Sequence, residues 1–182
     1  MFDKTLRQFL GVSCLRISIT VIKMVYPSLT NILNGRCREE KNKMKAMGPE
    51  KLGSLQRAVV TSDGVWHTRG HFSKNGSFII KNYLTGGLVW YGHKCMQSSG
   101  YVIEEDLYEK TAKSMEGVLA DKCYTQAKEE GCVMNTVWQD GDSSSAKSVT
   151  LHHLATRVFE CGRHVWRAFT NSLKEASKKS SL

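Results

Sequence analysis

Proline is almost absent, with two in 182 residues. No proline-rich linker therefore divides the chain, and a single domain with an appended N-terminal segment is expected at this length. No internal repeat is visible. Acid is also scarce: 17 Asp and Glu face 26 Lys and Arg, for a net charge of +9. That imbalance favours polyanions, nucleic acid before anionic membrane, and is silent about catalysis. A long hydrophobic run is missing too. Residues 9–33 are apolar in places, but Arg16 and Lys23 interrupt them. A bilayer needs about 20 largely apolar residues in succession, so no span is expected here. No signal peptide precedes the six scattered cysteines, Cys14, Cys37, Cys95, Cys123, Cys132 and Cys161. Reduced thiols in an intracellular protein are the expectation.

What is present begins with a short apolar run that ends on an acid, Arg57-Ala58-Val59-Val60-Thr61-Ser62-Asp63, followed by Gly64. This reads as a buried strand that delivers a carboxylate to its tip and then turns. Val133–Gln139 repeats the pattern and leads into Asp140-Gly141-Asp142. Between them, residues 77–84 and 88–93 read as two more strands joined by a turn at Thr85-Gly86-Gly87. Met115, Val118, Leu119, Cys123 and Ala127 recur at helical spacing, and Gly131 sits where a left-handed cap would close that helix. A serine-led helix over 143–153, a short strand over 157–161 and a basic helix over 165–178 complete the order. Upstream, residues 1–50 are an unassigned segment, expected to be helical or poorly ordered. Pro27 is expected to break whatever precedes it, and Gly48-Pro49 marks a boundary.

The order is βββ-α-β-α-β-α, an α/β mixed sheet flanked by helices, and it is that of an RNase H-like domain. In that architecture the first and fourth strands lie side by side and parallel, so Asp63 and Asp140 are expected to meet. Carboxylates fixed at strand tips suit Mg²⁺ or Mn²⁺, which prefer oxygen ligands and serve phosphodiester chemistry. Asp-Gly at a strand end is equally a plain turn signal. Trp66, Trp90 and Trp138 lie in or beside strands and read as core or rim anchors rather than base-stacking platforms.

Longer blocks carry more. Ser62-Asp63-Gly64-Val65-Trp66, Arg69-Gly70-His71 and Ser73-Lys74-Asn75-Gly76 resemble the D-G-T-W … R-G-H-S-S-x-N-G segment of the Mutator-like transposase domain. Lys113–Gly117, Ala127–Gly131, Trp138–Lys147 and Cys161-Gly162-Arg163-His164 resemble later blocks of the same domain, in the same order. The resemblance runs over residues 55–176, leaving 177–182 as a basic tail. It implies an RNase H-like fold, three acids holding two Mg²⁺ or Mn²⁺ ions, and cutting and joining of DNA ends, with nuclear or cytoplasmic residence. DNA is the implied partner, a homo-oligomer is allowed, and no membrane is involved.

Carried over by position, Asp63 is the first acid and Asp140 or Asp142 the second. Asp140 is preferred because it ends the strand, whereas Asp142 could instead cap the following helix. All three are candidate metal ligands. Arg69, His71, Lys74, Arg163 and Arg167 are the basic residues proposed for phosphate. The third acid is not evident. The family's Glu lies beyond the Cys-x-x-His block, where only Glu175 remains, about 20 Å along a helix begun near Cys161. Glu160 is nearer but belongs to a strand end. The expectation is a truncated or decayed copy. Its alternative function is that of a catalytically dead module that holds DNA or protein; a hybrid-cleaving RNase H-like nuclease shares the same acids. Cys161 and His164 offer half of a zinc or structural site, for which Cys95, His93, His152 or His153 would have to supply the rest.

Overall fold

Alternation decides which way each central strand faces. In β2 (Asn75–Asn82) Phe78, Ile80 and Asn82 are buried, while Ile79 and Lys81 point the other way. In β1 (Ala58–Trp66) Val60 and Ser62 are buried on the same side as Phe78 and Ile80. A two-residue period of this kind is what a sheet covered on one face requires. The computed structural model describes residues 15–66, 73–96, 107–140 and 143–179. The chain divides into two units, residues 1–36 and 37–182.

The second unit is built on one six-stranded sheet. Besides β1 and β2 it contains β3 (Leu88–Met96), β4 (Leu107–Tyr108), β5 (Met134–Gln139) and β6 (Arg157–Glu160), in the order β4-β3-β2-β1-β5-β6. β1, β2 and β3 form an antiparallel meander, and β5 runs parallel to β1 and to β6. Helix α2 (Ala112–Glu129) follows β4, α3 (Ser143–His152) follows β5, and α4 (Gly162–Lys179) follows β6. This is the expected RNase H-like succession with one strand added, the two-residue β4, too short to announce itself by periodicity. Among the described residues no helix is long and apolar enough to cross a membrane.

Two local expectations need correction. Pro27 does not break the N-terminal helix: α1 runs Leu15–Ala46 with Pro27 inside it. A proline interior to a helix removes one i→i−4 bond at a cost of about 3 kcal/mol, and helix-forming residues continue on both sides. Nor does β1 turn at Gly64. The strand continues to Trp66, with Gly64 paired to Phe78 and Trp66 to Gly76. A glycine is tolerated here because the β1–β2 ladder holds the backbone extended on both sides of it.

The core lies on the covered face. Val60, Phe78, Ile80, Val89 and Trp90 from the meander meet Met115, Leu119, Cys123 and Tyr124 from α2, with Val137 and Val149 completing the cluster. Met44, near the end of α1, joins it. Polar groups in this interior are partnered. Tyr124 Oη donates to Ser62 Oγ at 2.9 Å, and Ser62 lies 3.5 Å from Gln139 Oε1, linking α2, β1 and β5. His153 Nε2 donates to the Tyr124 carbonyl at 3.2 Å, and burial keeps its pKa below the ordinary value. The five described cysteines are all free thiols. Burial pushes Cys123 and Cys132 up to about 12, which leaves them protonated and unreactive at neutral pH.

One buried-edge cluster adds a pH dependence. Lys41 Nζ lies 2.7 Å from Glu130 Oε2 and 5.5 Å from the Trp90 ring centroid, and Trp90 Nε1 donates to the same carboxylate. Burial works against the Glu130 charge. Hydrogen bonds from Lys41, Gln126 and Trp90 outweigh it and hold the pKa below the ordinary 4.5. A group more acidic when folded stabilises the fold above its unfolded pKa, and that contribution fades as pH falls through the folded value. We expect urea titrations of Lys41→Met to show lower stability at pH 7 and a shallower loss below pH 4.5 than the parent chain. Tyr124→Phe should cost about 1 kcal/mol in the same assay, the net worth of one buried neutral hydrogen bond.

Candidate active site

The parallel ladder between β1 and β5 pairs Val59 with Thr136, Val60 with Val137 and Thr61 with Trp138, and there it ends. β1 continues against β2, and β5 continues against β6 to Gln139 and Glu160. One step past the last rung, Ser62 and Gln139 still touch through their side chains. One step further on each strand come Asp63 and Asp140. By alternation both leave the covered face and point to the open one, where Thr61 and Trp138 also lie.

On that open face is a cavity of about 500 Å³. Asp63 and Asp140 both line it, together with Thr61, Ile79, Lys81 and Trp138. Asp63 is exposed and Asp140 half-buried. The two carboxylates therefore come from chain positions 77 residues apart and share one water-accessible space. Trp138 is stacked between Tyr83, centroids 5.9 Å apart, and Phe159, 4.8 Å apart. This aromatic row, from the turn after β2 to β6, stiffens the end of β5 just before Asp140; aromatic pairs of this kind contribute about 0.5–1.5 kcal/mol each. Trp138 is accordingly a rim anchor, whereas Trp90 is a core residue and Trp66 packs against the core over Gly76.

Only some of the sequence candidates fall within the described residues. Asp142, Arg69 and His71 lie outside the described residues. Arg163, His164 and Arg167 are on α4, and their side chains lie outside the described set as well. Lys74 is exposed just before β2. It is five residues along β2 from Ile79, the partner of Asp63, or roughly 17 Å at strand spacing, so it does not reach the cavity. Lys81 does, and is the cation that sequence reasoning missed. Its signal was available: Lys81 alternates with Ile79 and Tyr83 on the face that the Asp63–Ile79 pairing opens to solvent.

The proposed zinc partners are engaged in other ways. His93 shares a 2.8 Å hydrogen bond with Ser77, His152 pairs with Asp121 at 2.7 Å, and His153 holds the Tyr124 carbonyl. Cys95 is buried in the sheet. Cys161 lines the cavity with the two aspartates. Among the described residues no three His, Cys, Asp or Glu side chains cluster as a ready-made metal cage. The donors that do converge, Asp63 and Asp140, are hard oxygens. They fit Mg²⁺ or Mn²⁺, which is commonly held by one or two carboxylates plus water and substrate phosphate rather than by a full protein cage.

A sequence model of the Mutator-like transposases matches residues 23–182. The chain belongs to the Mutator-like transposase family. The match begins upstream of residue 55, where the legible resemblance starts. No curated protein sequence matches the chain. Among solved structures, the RNase H1 of the halophilic archaeon Halobacterium salinarum NRC-1 aligns with 56% of this chain and 84% of that one, at 10% identity and a TM-score of 0.34. A likeness of that degree does not bear on function.

Asp63→Asn and Asp140→Asn keep the side chains' shape and remove one charge each; measured in EDTA, each should change stability by under about 1 kcal/mol, the scale of substitutions outside a packed core. A marked loss in both would identify the aspartates as structural.

Proposed function

We propose that this transposase-family domain cleaves and rejoins DNA phosphodiesters with a divalent metal, using Asp63 and Asp140. The observation that carries this reading is their equivalent position, one step beyond Ser62 and Gln139 on adjacent parallel strands, lining one cavity. Family membership supports the DNA substrate, and the excess of 26 basic over 17 acidic residues supports attraction to a polyanion.

Asp63 and Asp140 would hold Mg²⁺ or Mn²⁺, with Asp142 the further candidate. When bound, the metal supplies Lewis-acid stabilisation of phosphodiester charge and activation of water or a 3′-hydroxyl. The sheet fixes the spacing of the carboxylates, so little reorganisation is needed when a phosphate arrives. The ammonium of Lys81, on the same cavity wall, attracts the phosphate as a point charge. Arg69, His71, Lys74, Arg163 and Arg167 are proposed contacts along the DNA backbone. Residence in the nucleus follows from the same reading.

A second reading, a DNA-holding module without chemistry, is favoured by the absence of a third acid from the described cavity lining. The two are separated by incubating the protein with a terminal-inverted-repeat duplex in Mn²⁺. Strand cleavage that falls by more than about 10²-fold in Asp63→Asn and in Asp140→Asn, the scale of losing one charge-stabilising group, establishes the enzyme. Salt-sensitive binding without cleavage, indifferent to both substitutions and to EDTA, establishes the binding module. Lys81→Ala should weaken DNA binding and reduce its log–log salt slope by about one contact.

A further inference from the structure

The Lys113–Gly117 block has no place in the two-aspartate site, yet three of its residues have separate structural partners. Met115 is fully buried; its sulfur lies against Gly76 of β2, 2.8 Å from where a Cβ would stand. Gly117 lets α2 approach α3, since a Cβ there would meet Ser144 at 3.4 Å. Between them, Glu116 is half-buried and crosses to β1. Its carboxylate occupies the space a side chain at Gly64 would need: a Cβ on Gly64 would stand 2.6 Å from Glu116 Cδ and Oε1 and 2.9 Å from Oε2. Gly64 is the residue directly after Asp63, and consecutive Cα atoms are about 3.8 Å apart.

We propose that Glu116 is the third carboxylate of the metal site, reaching it over the bare backbone of Gly64. The inference rests on the two-aspartate reading above and names the acid which that reading lacks. Glu175, the downstream alternative, is 13 residues into α4, about 20 Å from its start at helical rise. Glu116 instead comes from the helix packed on the central strand. It sits on the covered side of β1, while Asp63 points to the open side. The β1–β5 ladder has already ended at Thr61 and Trp138, so no paired strand separates the two sides at that edge. Rotation about the glutamate's own side-chain bonds brings its carboxylate past the edge of β1 that β5 leaves open, toward Asp63. An arriving divalent cation relieves the repulsion among three acids and supplies the drive for that rotation. The glycine is then required for passage rather than for backbone conformation, because its φ is not in the left-handed region.

The test reads metal binding directly, by electron paramagnetic resonance titration of free Mn²⁺ with the whole chain. Glu116→Gln keeps the side chain's shape and removes its charge. It should loosen Mn²⁺ by roughly tenfold or more, at least the scale seen when supporting groups of a metal site are lost. Gly64→Ala keeps all three acids and puts a methyl group where the Glu116 carboxylate lies; only the end of a flexible side chain must move, so folding is preserved. It should loosen Mn²⁺ to a similar degree, and the double variant no further. Glu175→Gln should bind as the parent does. Parent-like binding by Glu116→Gln and Gly64→Ala, alongside loss in Asp63→Asn, overturns this inference and leaves the two-aspartate site standing. Loosening in Glu175→Gln but not in Glu116→Gln overturns it as well. No Mn²⁺ binding by the parent chain overturns both.

Discussion

The structure depends on where one parallel ladder stops. β1 and β5 are held together through Thr61 and Trp138, and beyond that rung each strand keeps a different neighbour, β2 for one and β6 for the other. A gap at the edge of a parallel pair is a natural place for a ligand, because backbone groups and side chains from two strands end there together. The buried chain from Tyr124 through Ser62 to Gln139 ties the two strands at the last step before they part. Asp63 and Asp140, the aspartates proposed to hold metal, come just beyond that tie.

The two faces of the sheet divide the work. On the covered face, α2 and the meander bury a continuous apolar cluster that includes Phe78, Ile80, Trp90 and Tyr124. On the open face, polar and aromatic residues line the cavity, and the Tyr83–Trp138–Phe159 row ties the turn after β2 to β5 and β6. Helix α4 shows a further exposed apolar stripe, Val165, Trp166, Phe169 and Leu173. The apolar cluster and the two proposed metal-binding aspartates thus lie on opposite faces of the sheet.

Much of this was legible beforehand, for reasons that differ by element. Helix α2 has a strong three- and four-residue period and a glycine, Gly131, with φ of 76° to close it. The turn at Gly86, with φ of 71°, was marked by its glycine pair. Local chemistry alone sets these features. Where local signals misled, a neighbouring strand or helix overrode them: Asp63-Gly64 reads as a turn, but pairing with Ile79 and Phe78 keeps it extended. Pro27 reads as a break, but α1 passes through it.

By itself the sequence determined the succession of strands and helices, the basic charge, and the identity of two acids at apolar strand ends, because each is a property of a short stretch and of its own periodicity. Only the tertiary structure decided which residues share the cavity. Lys81 enters it through antiparallel register and Tyr83 from the turn that follows, and Glu116 reaches Asp63's neighbour because a helix crosses a strand at a glycine. Those juxtapositions join residues dozens of positions apart. They follow from how the sheet pairs and what packs upon it, and no local pattern encodes them.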